Sequence, residues 1–318
     1  MSTSVIFLGT PELARTVLKG IIDADKYNIL GVVTQPDKPV GRKQVLQKSP
    51  VKELAELNGI KVFQPEKLSG SDELKELIAM NPDFIITAAY GQFLPTSFLE
   101  AAKIGAINVH GSLLPKYRGG APIQYSLLNG DKKTGITIMY MVKKMDAGDI
   151  ISQKELPITD QDDNGSLFEK LAILGRDLLL DTLPKLENNE ITPIQQNEDE
   201  VVFSPTISKE QEHLDFSKSA MELFNQIRAL SPEPGSWVNF NGERTKIYKS
   251  EVVEISTDQN PGTVYKISKK EFILVAGDKQ GLSIKSIQPS GKKVMDISNF
   301  INGVGNKLKE GQQIIYEN

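Results

Sequence analysis

The chain has 318 residues, 39% hydrophobic and 25% charged, an ordinary globular composition with enough length for two domains. It has no cysteine and only two histidines, His110 and His213, which excludes disulfides, thiolate nucleophiles and cysteine-built metal or iron–sulfur sites and leaves a His-rich metal site short of ligands. The net charge of -4 divides into 22 basic against 27 acidic residues up to Pro205 and 15 against 14 beyond it, so the C-terminal part leans only weakly toward a polyanion.

The first residues enter a strand, Ser4 to Leu8, with no basic leader and no spanning apolar run, so a cytoplasmic protein is expected. Helix and strand then alternate. Glu12 to Ile22 reads as a helix, Ile29 to Thr34 as a strand, Val51 to Asn58 as a helix and Lys61 to Phe63 as a strand. Ser71 to Met80 is a helix, and Phe84 to Ala88 and Ile104 to His110 are strands. This alternation predicts an α/β fold, a Rossmann-like doubly wound and mostly parallel sheet. Ile136 to Met141 and Asp149 to Glu155 read as a strand pair, and Asp163 to Leu183 as one long helix.

The first strand turns at Gly9-Thr10-Pro11, with a single glycine where a dinucleotide site needs G-x-G-x-x-G, so NAD is not expected. Glu187 to Glu200 is polar, acidic and aperiodic and reads as a linker. Beyond it a helix, Ser219 to Leu230, precedes short strands at Trp237 to Phe240, Arg244 to Glu251, Gly262 to Ile267, Phe272 to Ala276 and Leu282 to Ile287. Five short strands with glycine-marked turns suggest a small OB-like β-barrel. The expected organisation is a catalytic domain over 1–188, a linker over 189–206 and the barrel over 207–318.

Asn108 and His110 stand two apart, so they share one face at the end of an apolar strand, where open α/β sheets bind ligands. A carboxamide can donate to an oxyanion developing on a carbonyl, and an imidazole can donate a second bond or shuttle a proton. Met145-Asp146-Ala147-Gly148-Asp149 supplies a carboxylate to orient the imidazole, with Asp146 preferred because Asp149 begins the next strand. The loop Ser112-Leu113-Leu114-Pro115 follows the strand directly. Pro36 to Gln44 is a basic, Pro/Gly-marked loop on the same sheet edge, suited to a lid or a partner contact.

The set Asn108-x-His110, Ser112-Leu113-Leu114-Pro115-x-x-Arg118-Gly119 and Asp146 closely resembles the formyltransferases that use 10-formyltetrahydrofolate. Gly9-Thr10-Pro11, the Arg42 loop, Tyr90-Gly91, Pro234-Gly235-x-Trp237, Asn241-Gly242-Glu243 and Gly291-Lys292-Lys293-x-Met295 extend the resemblance over nearly the whole length. It implies formyl transfer to the α-amine of methionine esterified to initiator tRNA, with Asn108, His110 and Asp146 as catalytic residues. It implies a folate cleft beside Ser112, Leu113, Leu114 and Pro115, with Tyr90, Gly91, Gln92, Phe93 and Leu94 as another wall. Arg42 and Lys43 would meet the tRNA acceptor end, and Lys246, Lys249, Lys292 and Lys293 its backbone.

On that resemblance no metal, no NAD and no membrane are involved, and a monomer is the working expectation. His213-Leu214-Asp215-Phe216 departs from the family, which usually has Trp after the Asp, a change expected to alter packing only. An amino sugar nucleotide as acceptor, hydrolysis of formyltetrahydrofolate, and a non-catalytic tRNA- or folate-binding protein are the alternatives. The Lys38 to Lys48 loop and this C-terminal domain favour tRNA.

Overall fold

Val5, Ile6, Phe7 and Leu8 are wholly buried, as a central parallel strand covered on both faces requires. The computed structural model describes residues 2–40 and 44–316 and divides into two compact units. The first unit comprises, of these residues, those up to Pro122, Lys133–Pro157 and Phe168–Pro205; the second comprises Ile123–Lys132, Ile158–Leu167 and the chain from Thr206 onward.

The chain opens with β1 (Thr3–Gly9), α1 (Glu12–Asp23), β2 (Tyr27–Val33), a hairpin of β3 (Lys38–Val40) and β4 (Val45–Gln47), then α2 (Pro50–Leu57) and β5 (Val62–Phe63). Next come α3 (Asp72–Ala79), β6 (Phe84–Ala88), α4 (Thr96–Leu99), β7 (Gly105–His110), β8 (Lys116–Arg118) and α5 (Pro122–Leu128). The strands β9 (Lys133–Tyr140) and β10 (Ile150–Pro157), the helix α6 (Asn164–Glu187) and the short β11 (Val202–Phe203) follow. One sheet has the order β10-β9-β7-β6-β1-β2-β5. Its members β7, β6, β1, β2 and β5 run parallel, and β9 and β10 are added antiparallel.

Serine caps set two of its helices: Ser49 accepts from Lys52 N with Pro50 at the first helical position, and Ser71 accepts from Leu74 N. Gly9 is explained by packing. A Cβ there would lie 2.5 Å from Ala14 Cβ and 2.8 Å from Ala88 O, so α1 and the end of β6 could not close on the turn. The segment expected as a linker runs with the first unit as far as Pro205, where β11 pairs with β8 and Ile194 bridges Ile150.

The second unit holds α7 (Ala220–Ala229), β12 (Ser236–Phe240), β13 (Glu243–Val253), β14 (Val264–Ser268), β15 (Glu271–Val275), β16 (Gly281–Pro289), β17 (Met295–Asp296) and α8 (Ile297–Asn302). The five expected strands form an antiparallel path, β12-β13-β16-β15-β14, with β17 added to β16; among the described residues no ladder joins β12 to β14. Ser219 and Glu222 form a reciprocal capping box on α7. Leu214, Phe216, Leu223, Phe272, Phe300 and Ile314 build the core, so Phe216 fills an interior position. Among the described residues no helix is long and apolar enough to cross a membrane.

Candidate active site

The C-terminal ends of β6 and β7 lie side by side, with Thr87 opposite Asn108 in the ladder. Thr87 Oγ1 donates to Asn108 Oδ1 at 2.8 Å. With Oδ1 taking that bond, the carboxamide NH2 group, which has no protein partner among the described residues, is left as a donor. Thr87, the residue that bonds Asn108, is not singled out by the sequence reading. Its signal was a lone hydroxyl late in the apolar run Phe84-Ile85-Ile86-Thr87-Ala88.

His110 is 5% exposed and sits 2.9 Å through Nε2 from Tyr117 O. A carbonyl only accepts, so Nε2 carries the hydrogen and Nδ1 is the open nitrogen of the neutral ring. Nδ1 faces Asp146 Oδ2 at 3.8 Å, an ion-pair distance when the ring is protonated and too long for a hydrogen bond. The Tyr117 carbonyl, which also accepts from Ser204 Oγ at 3.1 Å, is therefore the direct hydrogen-bonded hold on the imidazole. Asp146 is fixed separately. Gly119 N donates to its Oδ2 at 2.9 Å, and its backbone takes the left-handed conformation at φ +47°.

The loop after β7 is tied down by Thr137 on β9. Its hydroxyl donates to Ser112 O at 2.6 Å and accepts from Leu114 N at 3.1 Å, while Gln153 Nε2 donates to Leu114 O at 2.8 Å. Ser112 Oγ donates to Lys116 O at 2.6 Å. Ser112 and Leu114 are buried, and Leu113 and Pro115 half-buried. The loop is thus a built shelf directly beside His110.

The expected second wall divides in two. The Tyr90 ring is packed in the core with Ile6, Leu8, Val33 and Phe98, and burial pushes its phenol up to about 12, so it stays neutral. Its carbonyl accepts from Gln35 Nε2 at 3.0 Å. Gly91 follows at φ +87°, and Gln92 bonds Leu68 N, Gln35 and Glu66 O. Phe93 is 74% exposed, and with Gln92, Leu94 and Pro95 it lines an open depression of about 550 Å³. Leu94 is half-buried against the core.

Arg42 and Lys43 lie outside the described residues. They fall between β3 and β4, a hairpin whose root is anchored by Asp37 to Lys52 Nζ at 2.7 Å and Gln64 Nε2 at 2.8 Å; these two bonds hold the Asp37 carboxyl below its ordinary range. In the second unit, register shifts on either side of Lys249 mark a bulge in β13. Thr245, Ile247 and Ser250 are buried there and Lys249 is exposed, while Lys246 reaches Pro234 O at 2.5 Å. Lys246 pairs with Gln288, whose amide donates to Lys292 O at 2.9 Å, and Lys292 and Lys293 are both exposed. The four lysines thus gather along the β13–β16 ladder and its adjoining turn.

A fixed amide donor, an imidazole with one open nitrogen and a carboxylate around one strand end can stabilise an oxyanion and move a proton. The formyl transferase family profile matches residues 3–183, and the profile of the formyl transferase C-terminal domain matches residues 206–305. The chain belongs to the formyl transferase family.

Within that family it is 57% identical over 315 residues to a methionyl-tRNA formyltransferase of Latilactobacillus sakei subsp. sakei (strain 23K), an alignment covering 99% of each chain. Its fold is similar to that of an N-formyltransferase from Helicobacter canadensis crystallised with folinic acid and dTDP-3-aminofucose, with TM-score 0.68 and 23% identity over 91% of this chain and 100% of that one. HypX from Aquifex aeolicus in complex with tetrahydrofolic acid shares the fold at TM-score 0.66 and 14% identity. That match covers 98% of this chain, which spans about half of HypX (49%).

Proposed function

We propose that the protein transfers the formyl group of 10-formyltetrahydrofolate to the α-amine of methionine esterified to initiator tRNA. The observation that carries the choice of acceptor is full-length identity at 57% to a methionyl-tRNA formyltransferase, through both domains rather than the catalytic one alone. The N-formyltransferase in complex with dTDP-3-aminofucose stands at 23%. The second unit's lysine-bearing ladder suits the backbone of an acceptor arm, and the hairpin carrying Arg42 and Lys43 suits its end.

The chemistry follows from the strand end. The neutral amine attacks the formyl carbon, a C–N bond forms, and negative charge develops on the formyl oxygen. Asn108 Nδ2, pre-aimed by Thr87, donates to that oxygen; His110, when protonated, offers Nδ1–H as a second donor and is balanced by Asp146. Asp146, with Oδ2 already held by Gly119 N, receives the proton lost by the amine and passes it toward N10 of the folate as the old C–N bond breaks. The Ser112–Pro115 shelf and the Tyr90–Leu94 segment flank the folate, with backbone groups available to its pterin edge. No covalent enzyme intermediate is required. Holding two substrates in register supplies about 7–11 kcal/mol when the geometry is good.

The test is incubation of the purified protein with 10-formyltetrahydrofolate and, in parallel, methionyl initiator tRNA, methionyl elongator tRNA, an amino sugar nucleotide, or no acceptor. Formylated methionyl initiator tRNA is expected. Formylation of the sugar alone, or folate turnover without any acceptor, would overturn the reading.

A further inference from the structure

Two loops meet at the His110 ring, and each contributes to it separately. The strand β8 and the residue after it supply the Tyr117 carbonyl that accepts from His110 and the Gly119 N–H that donates to Asp146; the turn before β10 supplies Asp146 itself. Besides that Gly119–Asp146 bond, a second tie between them is Gln196, a residue 5% exposed in the segment that follows the catalytic domain's family match at residues 3–183. Its Nε2 donates to Asp146 O at 2.8 Å and to Gly148 O at 2.7 Å, gripping the turn on both sides of Ala147. Its Oε1 accepts from Arg118 Nε at 3.0 Å and Nη2 at 2.9 Å, on a side chain with no exposed surface. Arg118 stands between Tyr117 and Gly119, the residues that hold His110 and Asp146.

The surroundings prevent Gln196 from backing away. Ile194 exchanges both backbone bonds with Ile150 at 2.8 Å, and beyond Gln196 the segment pairs β11 with β8 and sends Ser204 Oγ to Tyr117 O. A side chain at Gly148 would collide with the Tyr140 carbonyl, so the turn is pressed against β9 on its other side. Asp146, a non-glycine residue at φ +47°, has its own carbonyl held by Gln196.

We infer that Gln196 is a positioning residue for the transfer: from the segment after α6 it fixes the Asp146 turn at its working distance from His110, tying that turn to Arg118. The inference rests on the reading that Asp146 serves catalysis. Only an amide can do this, because it accepts from Arg118 and donates to two carbonyls at once. Glutamate would keep the Arg118 interaction and lose both donations, which separates aiming Asp146 from merely anchoring Arg118.

The experiment measures kcat and KM for both substrates in Gln196→Glu, Gln196→Met and Asp146→Ala, with single-turnover rates normalised to the folded fraction by circular dichroism so that lost fold does not count as lost turnover. Gln196→Glu and Gln196→Met are expected to lower kcat by about 10- to 100-fold with both KM values within about twofold, the signature of a misplaced group rather than of weakened substrate binding. Wild-type kcat in Gln196→Glu, or a loss confined to KM, overturns the inference. If Asp146→Ala itself leaves turnover unchanged, the role given to Asp146 fails, whatever the Gln196 variants do.

Discussion

The strand-end cluster and the lysine ladder of the second unit are both polar, but they are built in opposite ways. Around His110 the groups are buried or half-buried and each is engaged at least once: Thr87 to Asn108, Tyr117 O to His110, Gly119 N to Asp146, Gln196 across the two loops. Lys249, Lys292 and Lys293 are exposed instead. The contrast follows the work proposed for each. Stabilising an oxyanion demands donors fixed before the reaction starts, whereas holding a polyanionic backbone needs charge that reaches and adapts. Substitutions in the cluster should therefore act on turnover, and substitutions in the ladder on affinity and its salt dependence.

The largest break is expected from His110→Ala, which removes the open nitrogen and should cut kcat by about 100- to 10,000-fold with tRNA affinity nearly intact, measured by formylation kinetics beside filter binding. Thr87→Val keeps shape and burial but leaves Asn108 free to flip. It should cost about tenfold in kcat, the kinetic equivalent of roughly one neutral hydrogen bond, and a wild-type rate would remove Thr87 from the site.

In the ladder, Lys292→Ala with Lys293→Ala should leave kcat unchanged, weaken tRNA binding and lower the slope of log affinity against log salt by about 1 for each phosphate that a lysine no longer neutralises. An unaltered slope would show that this turn does not meet the backbone.

The smallest effect concerns Glu198, whose carboxyl is pulled down from 4.5 to about 2 by its hydrogen bonds to Arg118 and Lys144. A carboxyl depressed on folding binds more protons when the chain is unfolded. Its stabilisation is therefore present above 4.5 and lost as pH falls toward 2. Glu198→Gln should flatten that acid limb in pH-dependent thermal melts, modestly, because the side chain is largely exposed.

The alternation of apolar strands and amphipathic helices made the parallel sheet legible from residue types, as did the five short C-terminal strands. The spacing of Asn108 and His110 exposed the strand end, because a period of two states directly which side chains share a face. The supporting groups were harder to read. Thr87 is 21 residues from Asn108 and Gln196 is 50 from Asp146, so only the folded ladder and loop bring them together. The Tyr90 ring lies in the core while its carbonyl accepts from Gln35, a division the sequence does not show, since a lone aromatic carries no sign of its side. The two- and three-residue strands β8 and β11 are too short to leave any periodicity.

The central claim is that the carboxamide at the end of β7 stabilises the charge developing on the formyl oxygen. It is tested most directly by the single-turnover rate of formyl transfer from 10-formyltetrahydrofolate to methionyl initiator tRNA in Asn108→Ala, with both dissociation constants measured on the same preparation. The account expects the rate to fall by about 100- to 1,000-fold with both dissociation constants unchanged. An unchanged rate, or a loss explained wholly by weaker binding, would contradict it.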